Sequence, residues 1–93
     1  MDKMKNCLIT GSSTGIGRAT TLHLARNGYR VHATMRDPNR SADLEQIIGT
    51  EKLPITIHKL DVTDRASIEN VVAEIVGSDN RIDTVINNAG LSN

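Results

Sequence analysis

The stretch TGSSTGIG, residues 10–17, places three glycines among four hydroxyl-bearing residues, directly after the apolar run NCLI. From Ile16 to Ala25, apolar side chains recur every third position, which predicts a helix over residues 15–27. A glycine-rich loop between a strand and a helix turns unpaired backbone N–H groups toward a bound anion, and the helix dipole adds partial positive charge. The stretch therefore indicates a phosphate-binding loop, with a Gly/Ser turn that binds nothing as the alternative. It lacks the Lys-Ser/Thr ending of the nucleoside-triphosphate loop.

Strands and helices alternate along the whole chain. The predicted strands span residues 5–10, 29–34, 54–60 and 82–87. The predicted helices span residues 15–27, a short segment marked by Leu44, Ile47 and Ile48 and ended by Gly49, and residues 64–76, followed by Gly77 as the stop. The order β-α-β-α-β-α-β predicts the α/β fold class, with a parallel sheet and right-handed crossovers in one domain over residues 1–93.

Composition excludes several kinds of partner. Eleven Lys and Arg residues balance 11 Asp and Glu residues, which gives no electrostatic reason to expect nucleic acid or a membrane surface as a partner. Tyr29 is the only aromatic residue, so platforms for stacking bases are missing. No apolar stretch approaches the roughly 20 residues of a membrane span, and no signal peptide is recognisable. The single cysteine, Cys7, lies in an apolar run and is interpreted as a buried side chain. A cytosolic location is expected.

Two further segments complete a pattern that the glycine loop begins. LDVTD, residues 60–64, and NNAG, residues 87–90, each follow a predicted strand. Together with TGSSTGIG, they resemble the cofactor loop, the Asp-Val segment and the Asn-Asn-Ala-Gly motif of the short-chain dehydrogenase/reductase family, in the same order. The resemblance covers essentially all 93 residues but only the first part of the family's fold. It implies a Rossmann-like sheet of strand order 3-2-1-4 that is truncated after strand four.

The resemblance also implies a site for a nicotinamide dinucleotide, the one small-molecule partner expected. The residues whose backbone would face the pyrophosphate are Gly11, Ser13, Gly15, Ile16 and Gly17. Asp61 would accept from the adenine amino group, with the Val62 backbone beside it. Asn88, Ala89 and Gly90 would line the adenosine ribose. Taken alone, Asp61 could equally be a helix-capping or solvated carboxylate, and NNAG could be an ordinary turn.

The end of strand two distinguishes NAD from NADP in this family. Members that prefer NAD place an acidic residue there to bind the ribose hydroxyls. Here Met35 takes that place and Arg36 follows it, while Asp37 comes one residue late. Because a guanidinium can pair with a 2′-phosphate through two parallel hydrogen bonds, we expect NADP(H) to be preferred, without excluding NAD(H). Ser13 is a second candidate for that phosphate. The alternative is that Arg36 is a solvated loop charge.

No catalytic residue is carried over from the family. Its serine, its Tyr-x-x-x-Lys pair and its later asparagine have no counterpart, since Ala33 stands four residues after Tyr29. The three histidines show no metal-ligand spacing, and no metal is expected. The resemblance thus implies an enzyme that moves hydride between NADP(H) and a carbonyl or alcohol carbon, of which these 93 residues alone would be inactive. The alternative is a stand-alone dinucleotide-binding module or redox-sensing subunit.

The predicted topology leaves apolar surface uncovered. Strand four would form an open edge, and one helix would have to cover the sheet face that lies opposite the first two helices. Self-association, or a partner that covers the strand-four edge, is therefore expected.

Overall fold

The strand that precedes the glycine loop lies inside the sheet, flanked by a strand on each side. The computed structural model of the protein describes residues 4–12, 15–37, 39, 41–79 and 81–88. The strands are β1 (Lys5–Thr10), β2 (Tyr29–Met35), β3 (Ile55–Lys59) and β4 (Thr84–Asn87). The helices are α1 (Gly15–Arg26), α2 (Ala42–Glu51) and α3 (Arg65–Asp79).

All four strands run parallel in the order β3-β2-β1-β4. Leu8 of β1, for example, lies in register between His32 of β2 and Val85 of β4. Two parallel strands need a connection that returns the chain to the same end of the sheet. Here a helix lies between each strand and the next strand along the chain. The predicted α/β fold class, a Rossmann-like parallel sheet of order 3-2-1-4, is confirmed.

Each face of the sheet carries its own apolar cluster. On the face that meets α1, the buried side chains are Cys7, Ile9, Ala25 and Val31. On the face that meets α3, they are Leu8, Leu60, Val71 and Ile75. Because β1 is buried on both faces, its sequence is a continuous apolar run rather than an alternating one. The burial predicted for Cys7 is confirmed, and it raises the pKa of the thiol.

Two helices extend beyond the glycines that we expected to end them. α2 continues two residues past Gly49, and α3 continues two residues past Gly77. Helices often end at a residue with left-handed backbone, and glycine adopts that conformation most easily. In α2 the left-handed residue is Lys52, with φ of 55°. Next in the chain, Leu53 precedes Pro54, whose ring disfavours helical backbone at Leu53. The proline therefore limits α2, and the prediction for Gly49 was wrong.

The amino end of the sheet is closed by a pair of hydrogen bonds between β1 and the start of β4. β4 begins at Thr84 rather than at residue 82. Directly before it, the Asp83 carboxylate accepts the Asn6 N–H at 2.8 Å, and the Asp83 N–H donates to the Asn6 carbonyl at 2.9 Å. The Asn6 N–H, assisted by Arg81, lowers the pKa of the Asp83 carboxyl group. These bonds join β1 to the edge strand β4 at the end of the sheet opposite the glycine loop.

Candidate cofactor-binding site

The four parallel strands end at one edge of the sheet, and a predicted site residue follows each end. Gly11 follows β1, Arg36 follows β2 and Asn88 follows β4. After β3 come Leu60 and then Asp61. The Leu60 N–H donates to the Met35 carbonyl at 2.9 Å, which holds the segment after β3 against β2. Since ligands of open parallel sheets bind outside the carboxyl ends of the strands, this edge is the candidate site.

The glycine loop leaves β1 through backbone conformations that suit glycine. Gly11 and Gly15 have φ values of 68° and 59°, in the left-handed region that strains other residues. A Cβ at Gly15 would meet no atom within 4 Å, so conformation rather than space requires glycine there. The loop can therefore turn sharply into α1 and present backbone N–H groups at its open side.

Gly17 is required for a different reason, which is space. A Cβ at Gly17 would lie 2.0 Å from the Gly11 carbonyl oxygen and 2.6 Å from the Asn88 Nδ2 atom. The Asn88 Nδ2 donates to the same Gly11 carbonyl at 2.9 Å. The first turn of α1 therefore packs directly on the loop backbone and on the side chain after β4.

The first turn of α1, the helix that starts at the loop, contains no acidic residue. The same holds for α3, whereas α2 carries Asp43 and Glu45 in its first turn. Acidic side chains in the first turn offset the positive end of the helix dipole. At α1 that charge is left for another anion, and a dinucleotide pyrophosphate fits both the charge and the glycine geometry.

Arg36 and Asp61 lie side by side at the far end of the same edge. Their closest atoms, Nη2 and Oδ2, are 3.8 Å apart, and the two side chains are 79% and 37% exposed. The Asp61 Oδ1 accepts from the Thr63 N–H at 2.9 Å and from the Thr63 hydroxyl at 2.6 Å. These bonds, more than Arg36, lower the pKa of the Asp61 carboxyl group. Oδ2 thus stays at the surface beside the guanidinium.

The helix-capping role considered for Asp61 is filled by Asp64, at the start of α3. Asp64 accepts the Ala66 N–H at 3.0 Å at the start of α3, which is the bond expected of an N-cap. Asp61 forms a local turn with Thr63 instead. Asp61 is therefore not the cap of α3.

The other predicted site residues are either exposed or lie outside the described part of the chain. Ile16 and Val62 are 77% and 45% exposed, so both residues lie at the surface. The predictions for Ser13, Ala89 and Gly90 lie outside the described residues.

Sequence reasoning did not single out three hydroxyl groups at this edge. Thr10 donates to the Asn87 side chain at 3.0 Å, while Ser12 and Thr34 both donate to the Ile9 carbonyl. Their burial depends on the pairing of β1 with strands distant in the chain, so the local pattern gave no signal for them.

Away from this edge, the structure brings together two histidines that are distant in the sequence. The His32 Nδ1 and His58 Nε2 atoms are 2.9 Å apart on the face that carries α3, where both rings line a pocket with Glu74.

Across the described part of the chain, no three His, Cys, Asp or Glu side chains are grouped so that they could hold a metal ion. Within the same residues, no helix combines the length and the apolar character needed to cross a bilayer.

Comparison with known proteins decides the family. The chain matches the short chain dehydrogenase family over residues 5–93. It belongs to this family. The short-chain dehydrogenase/reductase resemblance predicted from the three motifs is thereby confirmed, and the chain corresponds to the N-terminal, cofactor-binding part of such oxidoreductases.

Individual members show how much of a family protein this chain represents. It is 42% identical over 91 residues to the 3-oxoacyl-[acyl-carrier-protein] reductase FabG of Thermotoga maritima, a match that covers 95% of the chain and 36% of the relative. It is 35% identical over 85 residues to the NADP-dependent 3-hydroxy acid dehydrogenase YdfG of Escherichia coli O6:H1, with 91% and 33% covered. Among solved structures, menthone neomenthol reductase from Mentha piperita superposes with a TM-score of 0.84 at 27% identity, with 94% and 32% covered. The chain spans about a third of the length of these relatives.

Proposed function

We propose that this chain is the NADP(H)-binding portion of a short-chain dehydrogenase/reductase. The observation that carries the proposal is Arg36, an exposed guanidinium directly after β2, at the edge where the glycine loop begins. Met35, where an acidic side chain would hold the ribose hydroxyls of NAD(H), is 2% exposed and presents no charge. Arg36 can therefore meet a 2′-phosphate without a carboxylate at residue 35 that would repel it. Weaker NAD(H) binding is compatible with this site.

The proposed contacts extend along the whole edge. The loop backbone from Gly11 to Gly17 and the amino end of α1 would hold the pyrophosphate, with Ser13 and Ile16 among the loop residues. Asp61 Oδ2 and the Val62 backbone would hold the adenine, and residues 88–90 would line the adenosine ribose. When bound, the nicotinamide ring supplies or accepts hydride, and in the complete protein we propose a carbonyl or alcohol carbon as its partner.

Replacing Arg36 by alanine tests the cofactor preference. We expect the Kd for NADPH, measured by calorimetry, to rise about 10- to 100-fold, because one or two charge-assisted hydrogen bonds are lost. The Kd for NADH should change less than about threefold, since NADH has no 2′-phosphate for Arg36 to meet.

Lys59→Ala is the matched control for Arg36→Ala. Lys59 is an exposed cation at the end of β3, in register with Met35, so its removal changes the local charge by the same amount and leaves Arg36 in place. Equal NADPH and NADH affinities in the unaltered chain would contradict the preference. Absence of any nucleotide binding would contradict the function itself.

We further propose that these 93 residues bind the cofactor without turning it over. Tyr29, the only tyrosine, is the first residue of β2 and lies at the amino end of the sheet, opposite Arg36. Incubation with NADPH and a panel of aldehydes and ketones should leave the NADPH absorbance unchanged. A protein-dependent decrease would show that a proton donor exists within this chain.

An apolar surface beside β4 supports the proposal of an association partner. Val85 is 60% exposed on the same face as Leu8, and Ile68 and Val76 of α3 are 38% and 44% exposed. Glu74 and Ser78 of α3 line the pocket beside His58, and Val76 lies on the opposite flank of the helix. Within the described residues, β4 pairs with β1 alone. A second copy of the chain or another polypeptide would bury this surface.

Sedimentation analysis of Val85→Lys tests that surface. We expect the unaltered chain to associate in a concentration-dependent manner, and the variant to shift toward monomer, because a charged side chain resists burial against apolar surface. A monodisperse, cooperatively melting monomer of the unaltered chain would contradict self-association.

The cytosolic location expected from composition stays a prediction, to be checked by cell fractionation.

A further inference from the structure

One backbone oxygen near the end of β1 accepts two buried hydroxyl groups. The Thr34 Oγ1 of β2 donates to the Ile9 carbonyl at 2.8 Å, and the Ser12 Oγ of the loop donates to it at 3.2 Å. The Ser12 N–H in turn donates to the Thr34 carbonyl at 3.0 Å. Both Thr34 and Ser12 are completely buried. Thr34 therefore holds the loop through its side chain and through its backbone at once.

These bonds begin where the regular pairing of β1 with β2 stops. The register of the two strands ends at Ile9 and Ala33, after which the chain turns at Gly11 into the loop. Beyond that point the Ser12 N–H still bonds to β2, at the Thr34 carbonyl. The direction in which the loop leaves the sheet is thus set from the β2 side by Thr34, while Asn88 holds the Gly11 carbonyl from the β4 side.

We propose that Thr34 is a positioning residue of the cofactor site. Its hydroxyl, through the Ile9 carbonyl that it shares with Ser12, fixes the orientation of the loop and hence of the N–H groups that would face the pyrophosphate. The inference rests on the proposed cofactor-binding function. Because Thr34 is fully buried and donates inward, its hydroxyl does not touch the cofactor itself.

This role predicts a pattern of affinities that differs from that of Arg36. Arg36 reads a group found only in NADP(H), whereas the loop would hold a pyrophosphate common to both dinucleotides. Thr34→Val keeps the β-branched shape and removes the hydroxyl, so the Kd values for NADPH and NADH should rise together, by about three- to tenfold each. Thr34→Ser restores the hydroxyl, and both Kd values should return to within about twofold of those of the unaltered chain.

A control variant separates loop positioning from a general loss of stability. Ile75→Val removes one methyl group from a fully buried side chain of α3 that packs with Leu8, Leu60 and Val71. Its melting temperature should fall, as that of Thr34→Val does, while both Kd values stay unchanged. If Ile75→Val weakens binding as much as Thr34→Val, or if Thr34→Val leaves both Kd values unchanged, the inference is overturned.

A second measurement needs no cofactor and distinguishes this inference from the proposed function. In the free chain, amide hydrogen exchange of Ser12 should be faster in Thr34→Val than in Thr34→Ser, by about tenfold or more, while Val31 in the centre of β2 keeps its relative protection. If Ser12 responds and neither nucleotide binds, loop positioning stands and the cofactor-binding function fails. If the Ser12 exchange rate is the same in both variants, the positioning role of Thr34 fails, whatever the affinities.

Discussion

Gly17→Ala is expected to destabilise the chain and to abolish tight cofactor binding. A Cβ at this position would lie 2.0 Å from the Gly11 carbonyl oxygen and 2.9 Å from the Gly11 carbonyl carbon, so backbone rather than a flexible side chain would have to move. Overpacking of this kind costs about 1–3 kcal/mol, only partly offset by the better helix propensity of alanine. Because the loop and α1 would separate, the N–H groups would leave their places, and we expect the Kd for NADPH to rise about 100-fold.

Gly49→Ala is the matched control for this experiment. Gly49 lies inside α2, and a Cβ there meets no atom within 4 Å. Alanine should therefore stabilise α2 by about 0.5–1 kcal/mol and leave nucleotide affinity unchanged. Chemical denaturation and calorimetry on the two variants provide the comparison. A Gly17→Ala variant as stable and as tightly binding as the unaltered chain would show that the close approach at Gly17 is dispensable.

Ile75→Ala is expected to have the largest effect on stability. Ile75 is completely buried and joins α3 to Leu8 of the central strand and to Leu60 beyond β3. Truncation of such a side chain costs about 2–5 kcal/mol, from lost transfer energy and from the cavity that is left. A small domain is stable by only about 5–15 kcal/mol in total, so a large part of the folded population depends on this residue. Urea unfolding followed by circular dichroism measures the change.

Val76→Ala on the same helix controls for helix propensity. Val76 is 44% exposed, and its truncation removes little buried surface. The free energy of unfolding should change by less than about 0.5 kcal/mol. If Val76→Ala destabilises the chain as much as Ile75→Ala, then the exposed flank of α3 is covered in solution, which would support the association surface beside β4.

Much of the fold followed from the sequence because its signals are local. The apolar run of β1 and the third-position repeat of α1 each predict an element from a short window of chain. So does the apolar stripe of α3, which consists of Ile68, Val71, Val72, Ile75 and Val76. The ends of α2 and α3 were mispredicted for the same reason. Gly49 and Gly77 are individually typical stop signals, but whether a glycine adopts left-handed backbone depends on the segment that follows. In α2 that segment contains Pro54, which places the turn at Lys52 instead.

The candidate site was accessible from the sequence only as a set of separate motifs. Residue type and order indicated the glycine loop and Arg36, whereas Asp61 was singled out by the resemblance of LDVTD to the family's Asp-Val segment. The buried hydroxyl groups of Ser12 and Thr34 gave no such signal, since serine and threonine are ordinary on any loop or strand. Their shared acceptor, the Ile9 carbonyl, lies 25 residues from Thr34 along the chain, so only strand pairing reveals it.

The sequence by itself thus determined the order of elements, the family motifs that indicate a cofactor-binding part, and the basic residue after β2. Tertiary structure alone decided why Gly17 must be glycine, since the clash involves Gly11 and Asn88, which is 77 residues away from Gly11. It also decided which half of the α3 stripe is buried, with Ile75 against the sheet and Val76 toward solvent. Periodicity specifies that a helix has an apolar face. How much of that face is covered depends on the surfaces that the rest of the fold brings against it, and no local pattern contains that information.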